Sequence, residues 1–294
     1  MIRGATLGAA LVVVYTGMMA AADGITKMIA GGYEAPQLFV LSSLVVVVLT
    51  VCCGRVTGEA SFRLQSRGAM AVRSALTVVA SIAFFMAFRL LPFADVFLFI
   101  GLIPLIAAAL SGPVLGEAPR PLAWAALALG GAGMVFLMPG GLSGMQAGHV
   151  WALVAAVTGT GSMLAARVIA KVERAPLAQV FWPNLALLVV MAAWLPFVWK
   201  PMGAANLGWV AAYAAAIFAA RYVVAEALRL LPAYVATPLM NLQFVWMVAI
   251  GLFVFGEVPT VGTVLGVTLV IISGLWLVLD ERLARTRATA VPAE

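Results

Sequence analysis

Long apolar runs, broken only by short stretches of charged residues, Pro and Gly, constrain this chain more than any other feature. A helix needs about 20 apolar residues to cross the roughly 30 Å hydrocarbon core of a membrane. The 294 residues are 65% hydrophobic and only 10% charged, whereas soluble proteins carry about a quarter charged residues. The runs are continuous and do not alternate in polarity, which argues against a β-barrel. The sequence therefore predicts an all-α integral membrane protein.

The breaks between the apolar runs predict ten transmembrane helices, here called spans one to ten. They are expected near residues 5–30, 35–54, 67–90, 92–113, 119–138, 147–171, 176–199, 206–230, 232–254 and 259–280.

Two short motifs reveal an internal repeat. Arg-Leu-Leu-Pro stands at 89–92 and again at 229–232, and Gly-Glu-x-Pro stands at 116–119 and again at 256–259, so each motif recurs after 140 residues. Each repeat then holds five spans, and because five is odd, the second repeat must enter the membrane from the opposite side. We therefore predict two inverted five-helix repeats.

The same offset sets the domain boundaries and the orientation. It aligns Lys27 with Arg167 without a gap. Most Lys and Arg residues lie at the span ends on one side, and cytoplasmic ends are the ones enriched in Lys and Arg. We predict a bacterial inner-membrane protein with both termini in the cytoplasm, a first repeat at 1–140, a second at 141–280 and a cytoplasmic tail at 281–294.

The repeated motifs also have a local interpretation. Arg at a helix end can donate to the last free carbonyl groups, and Glu and Pro suit the first turn of a helix. We expect Arg89, Arg229, Glu117 and Glu257 to cap helices, with direct substrate contact as the alternative.

Ten spans in two inverted halves, each with an Arg-Leu-Leu-Pro corner and a Gly-Glu-x-Pro junction, resemble the drug/metabolite transporter superfamily, specifically its ten-helix EamA-type exporters. The overall pattern is similar to that of the amino acid exporters, including exporters of aromatic amino acids. The resemblance implies a central cavity lined mainly by spans one, three, four, six, eight and nine.

Polar and aromatic residues at mid-depth on those spans are the candidates for substrate binding, and ionisable groups at such depth are costly and are functional candidates by default. Arg221 could hold a substrate carboxylate, or it could form an internal salt bridge with Glu226 or Asp23. Asn241 could bind substrate or donate hydrogen bonds between helices. The candidate set is Thr77, Ser81, Phe84, Ser162, Arg221, Tyr222, Thr237, Asn241 and Phe244.

A second set of residues concerns coupling and movement. Asp23 and Lys27 are four residues apart, which predicts either an ion pair at the outer mouth or a gate. A proton antiporter would use Asp23 or Glu226, whereas a facilitator would need no coupling ion. Pro104 and Pro238 interrupt the hydrogen bonding of spans four and nine, and we expect them to act as hinges.

Several classes of function lack their sequence signals. The chain has no phosphate-binding Gly-x-x-x-x-Gly-Lys-Ser/Thr loop, no metal-binding cluster and no pairing of nucleophile and base. The Lys and Arg residues do not form a basic face for nucleic acid. We therefore predict a secondary or facilitated exporter, not an enzyme, that needs no cofactor or metal and whose partners are a small-molecule substrate and the lipid bilayer. Amino acids are the expected substrates, and nucleosides, cationic drugs or sugar conjugates are the alternatives. A channel is the remaining class, and both a monomer and a homodimer fit the sequence.

Overall fold

The computed structural model describes residues 2–57, 62, 64–115, 145–172, 176–230, 240 and 242–258, together with positions 261, 262, 264, 265, 268 and 272. Nine helices fall within these residues, and no strand does. They are α1 Ile2–Ala30, α2 Ala35–Thr57, α3 Arg67–Leu90, α4 Phe93–Ile100, α5 Ile103–Leu115, α6 Ala147–Val172, α7 Pro176–Val198, α8 Ala204–Leu230 and α9 Leu242–Phe255.

The expected membrane character is confirmed for this part of the chain. Five segments are long and apolar enough to cross a bilayer, namely Ala10–Ala30, Ala35–Val56, Arg67–Leu90, Ala147–Ile169 and Leu177–Val198. The apolar stretches Ala204–Ala220 and Leu242–Phe255 are shorter. Span five, most of span ten, the start of span nine and the tail at 281–294 lie outside the described residues.

One expected helix is divided into two. Span four was expected near 92–113 with Pro104 as a hinge in its interior, and the chain turns at Gly101 and Leu102 and separates α4 from α5. Pro104 explains the break, because its ring nitrogen has no hydrogen to donate to the carbonyl of Ile100, one helical turn earlier. The turn is closed instead by the N–H of Leu102, which donates to the carbonyl of Phe99 at 3.1 Å.

Hydroxyl groups inside the helices are satisfied locally, as a membrane interior requires. Thr26, Thr50 and Thr160 are buried, and each donates to the carbonyl four residues earlier at 2.6–3.0 Å. These bonds let polar residues occur in apolar helices without an interhelical partner.

The helices associate in long-range pairs. The most extensive pairs are α1 with α8, α3 with α6 and α2 with α7, while α9 packs mainly on α1 and less extensively on α4. Tyr33, which follows α1, accepts a hydrogen bond from Asn206 at the start of α8 at 2.8 Å, so these two helices are antiparallel. Gly148, at the start of α6, lies against Leu90 and Leu91 at the end of α3, so this pair is antiparallel as well.

Two apolar clusters fill the spaces between these pairs. The first joins α1, α3, α4, α6 and α9 through Ala20, Phe88, Phe93, Ala152 and Met247. The second joins α1, α2, α3, α7 and α8 around Leu38, Phe85 and Met191. One end of the bundle, here called the Lys27 end, is formed by segments 31–34, 90–93, 145–149, 199–204 and 255–258.

Candidate functional site

The polar side chains that the structure brings together lie at three levels between the helices. The level farthest from the Lys27 end joins α3 to α6. The hydroxyl oxygens of Thr77 and Ser162 are 2.7 Å apart, and both hydroxyls also lie within hydrogen-bond distance of the carbonyl of Arg73, at 2.8 and 3.2 Å. Two expected substrate-binding residues therefore already have partners within the protein.

The second level joins α1 to α9. The side-chain amide of Gln243 donates to the Asp23 carboxylate at 2.9 Å. Close packing surrounds this bond, since a Cβ placed on Gly24 would lie 3.2 Å from Ile250, and one on Gly17 would lie 3.7 Å from the ring of Trp246. We call this contact between α1 and α9 the α1–α9 seam.

The third level closes the seam at the Lys27 end. Lys27 Nζ forms an ion pair with Glu257 Oε1 at 2.8 Å and donates to the carbonyl of Leu91 at 2.7 Å. The ammonium group also lies 5.5 Å from the centre of the Phe255 ring. The ion pair between Asp23 and Lys27, one of the two expected arrangements, does not form: among the described residues Lys27 pairs with Glu257 and Asp23 binds Gln243.

Glu257 uses its two carboxylate oxygens on different elements. While Oε1 binds Lys27, Oε2 accepts a hydrogen bond from the backbone N–H of Phe93 at 2.6 Å. A negative charge at this position stabilises α4, because it lies next to the positive N-terminal end of the helix dipole. The expected capping role is therefore found, but on α4 and not on the helix that Glu257 was expected to begin.

The backbone before Glu257 explains how the carboxylate reaches this position. Gly256 follows α9 with φ of 67°, a left-handed conformation that favours Gly at a helix end. The N–H of Glu257 then donates to the carbonyl of Gly251 at 2.9 Å, which turns the chain back over the end of the helix. The repeated Gly-Glu sequence thus has a physical role in this copy.

Arg89 also differs from its expected role. Its guanidinium donates to Glu34 Oε2 at 2.6 Å, and both side chains are exposed by about a third, at 36% and 30%. Arg89 therefore joins the end of α3 to the loop between α1 and α2, and the structure gives it a carboxylate partner where a carbonyl cap was expected.

The aromatic candidates lie beside the first apolar cluster. Phe84 and Phe244 are partly buried and pack against this cluster from α3 and α9. Phe84 also stacks on Phe88, with ring centres 6.2 Å apart, and faces Gly159 of α6. Ser81 is half-buried one turn earlier on α3. These side chains border the region between α1, α3, α6 and α9.

The remaining candidates on α8 and span nine lie outside the described side chains or residues. Arg221, Tyr222 and Glu226 lie in α8, but their side chains are not among those described. Thr237, Pro238 and Asn241 lie outside the described residues, as do Glu117 and the side chain of Arg229. Within the described part of the chain, no group of three His, Cys, Asp or Glu side chains is arranged to hold a metal ion.

Comparison with known proteins finds a similarity to a transporter family in the second half of the chain. Residues 146–279 match the model of the EamA-like transporter family. This match supports the drug/metabolite transporter superfamily and, with the apolar helices, an integral membrane protein that transports small molecules. A family of transporters also favours a function other than catalysis.

The fold is also similar to that of solved structures. One of them, a crystal structure, has a TM-score of 0.65 to this chain at 21% sequence identity. The similarity covers 96% of this chain and 99% of the other. At this identity the likeness concerns the fold alone. No curated protein sequence matches this chain.

Proposed function

We propose that this protein is an EamA-type exporter in which two inverted five-helix halves, residues 1–140 and 141–280, carry small molecules across the bacterial inner membrane. Transport is secondary or facilitated, and the two halves alternate in opening the cavity to each side of the membrane. Amino acids, especially those with aromatic side chains, are the proposed substrates.

One observation carries this proposal. When each helix is replaced by its counterpart five spans away, the observed helix pairs map onto one another. Because α4 and α5 together form span four, and span five is not described, α6 to α9 correspond to spans six to nine. Shifting the pair α1–α8 by five spans converts it into α6–α3, which is the other antiparallel pair. The pairs α2–α7 and α4–α9 each convert into themselves. Packing of this kind is what two halves related by a two-fold axis in the membrane would produce.

The proposed substrate path lies between α1, α3, α6 and α9, where Ser81, Phe84 and Phe244 lie close to the first apolar cluster. Arg221 and Asn241 would complete the site from α8 and span nine, and Arg221 would bind the substrate carboxylate. Aromatic rings beside this region favour large apolar substrate side chains, because offset or edge-on contacts between rings are favourable.

The exposed surface of α7 supports the proposed location in a lipid bilayer. On α7, Val189, Trp194 and Phe197 expose 61%, 47% and 82% of their surface. Apolar side chains at such exposure suit contact with lipid. We propose that the Lys27 end faces the periplasm and that both termini are cytoplasmic, following the distribution of Lys and Arg.

Counterflow in liposomes tests the proposed function. Purified protein is reconstituted, the vesicles are preloaded with one unlabelled compound at a time, and uptake of labelled phenylalanine is followed. We expect preloaded aromatic amino acids to drive a transient accumulation that saturates with concentration. Vesicles reconstituted without protein provide the control.

Each other outcome changes a different part of the proposal. Accumulation driven only by nucleosides, sugar conjugates or cationic compounds, assayed with labels of those classes, would overturn the amino acid assignment and keep the carrier. Flux without saturation or counterflow would indicate a channel and overturn the carrier itself.

A further inference from the structure

The ion pair between Lys27 and Glu257 lies where the two proposed halves meet at the Lys27 end. Lys27 belongs to α1 in the first half, whereas Glu257 follows α9 in the second. The second carboxylate oxygen of Glu257 binds the N–H of Phe93, so the same side chain also holds the start of α4. One carboxylate thus fixes α1, the corner between α3 and α4, and the end of α9 to one another.

We infer that Glu257 is a positioning residue for transport, and that its ion pair with Lys27 is a latch that keeps the Lys27 end of the substrate path closed. This inference rests on the proposed function, because a latch has a role only if the two halves separate. In this interpretation, the structure represents the state in which the substrate path is closed at the Lys27 end.

The burial of the latch supports this role. The side chains of Lys27 and Glu257 are 14% and 26% exposed, whereas those of Arg89 and Glu34, an ion pair at the same end, are 36% and 30% exposed. A partly buried ion pair depends on both partners, since removal of one leaves the other charge poorly solvated. Arg89 and Glu34 both belong to the first half, so their ion pair does not cross between the halves.

The seam beneath the latch is sealed by small residues that let α1 and α9 approach closely. Gly17 faces Trp246 and Gly24 faces Ile250. Ala20 lies between them, is fully buried and packs in the cluster that contains Met247. A probe can reach Ala20 from the Lys27 end only after the α1–α9 seam has opened.

Labelling of a cysteine at Ala20 tests the latch without any substrate. In a background in which Cys52 and Cys53 are replaced by alanine, Ala20→Cys is treated with a membrane-impermeant maleimide from either side of the membrane. Gly32→Cys identifies the side to which the Lys27 end belongs, because Gly32 is exposed and a Cβ there meets nothing within 4 Å.

We expect Glu257→Gln to raise the labelling rate from the Lys27 end about tenfold, because loss of one ion pair shifts the population towards the open state. The glutamine keeps an oxygen that can accept the N–H of Phe93, so this variant removes the charge and retains the cap. Lys27→Met should have a similar effect, and Lys27→Arg should restore slow labelling.

Glu34→Gln is the matched control, since it removes an ion pair at the same end within one half and should leave the labelling rate unchanged. Equal labelling of the wild type and Glu257→Gln would overturn the inference, and so would an increase in Glu34→Gln as large as that in Glu257→Gln. Thermal unfolding identifies a variant that does not fold, and Lys27→Met then provides the deciding measurement.

The labelling result is separable from the counterflow result. If labelling responds to Glu257→Gln while none of the tested compounds shows counterflow, the closure at the Lys27 end is supported and the proposed substrates are wrong. If counterflow succeeds while labelling is unaffected, the carrier stands and the latch is wrong.

Discussion

Among individual side chains, Thr77 and Ser162 show that a polar residue inside a membrane can bind another part of the protein instead of a substrate. Their type and depth made them candidates for substrate binding, but each hydroxyl has a protein partner in the structure. They hydrogen bond to each other and approach the carbonyl of Arg73, which joins α3 to α6. We therefore expect them to contribute mainly to helix association.

Replacing Ser162 by alanine should lower the stability of the protein and leave substrate affinity unchanged. Hydrogen bonds between membrane helices contribute about 0.6–2 kcal/mol, so we expect a loss of about 1 kcal/mol. Thermal or denaturant unfolding in detergent measures the stability, and the half-saturation concentration in counterflow reports affinity. Ser81→Ala, one turn along the same face of α3 from Thr77, is the comparison and should weaken affinity without a comparable loss of stability. A large rise in the half-saturation concentration of Ser162→Ala would show that its hydroxyl binds substrate.

The sequence indicated which charged side chains are important better than it indicated what those side chains bind. The four-residue spacing of Asp23 and Lys27 indicated a local ion pair, but their actual partners are Gln243 and Glu257, more than 200 positions away. Local spacing describes only what one helix can do alone. The choice between a local partner and a distant one depends on how α1 packs against α9, and no pattern within α1 contains that information.

Among the helices and their connections, the corner at 89–92 depends on close contact with α6. A Cβ placed on Gly148 would lie 2.6 Å from Leu91 Cγ and 3.0 Å from Leu90 Cβ. Leu91 is buried, with 3% of its surface exposed, and has little room to move. The corner therefore requires glycine at the start of α6.

Gly148→Ala should destabilise the protein by about 1–3 kcal/mol, the usual cost of forcing an extra carbon into a packed interior. Gly208→Ala is the matched control, because Gly208 also lies in the first turns of a helix but a Cβ there meets nothing within 4 Å. That variant should be neutral or more stable by up to about 1 kcal/mol, since alanine favours the helix. Thermal unfolding of both proteins under the same conditions provides the measurement. An equal change in the two variants would contradict the close contact at the corner.

Helix positions could be predicted well wherever apolar runs are long and clearly bounded. The expected helix at 67–90 has the bounds of α3, and the expected 147–171 and 206–230 differ from α6 and α8 by no more than two residues. The sequence also drew attention to Pro104, but the resulting break in span four was expected only as a bend. A proline weakens one turn, and the surrounding packing decides whether the helix bends or separates.

At the scale of the whole molecule, the proposed transport requires two halves that cross the membrane in opposite directions. The 140-residue offset predicts which residues are equivalent, and the exchange of helix partners supports it. Periodicity within single helices could not have predicted those partners, because several faces of each helix are apolar. The repeat adds one constraint, because a contact between two helices implies a contact between their counterparts five spans away, and equivalent residues should occur at opposite ends of the bundle.

Gly32 and Val172 are equivalent under this offset, and both are exposed. Gly32 lies at the Lys27 end, whereas Val172 ends α6, which begins at that end and extends for 26 residues, or about 39 Å at 1.5 Å per residue. The measurement is labelling of Gly32→Cys and Val172→Cys, each without the native cysteines, by a membrane-impermeant maleimide added to one side of intact cells or inverted vesicles. We predict that Gly32→Cys reacts from the periplasmic side and Val172→Cys from the cytoplasmic side. Reaction of both cysteines from the same side would contradict the inverted arrangement and the carrier mechanism built on it.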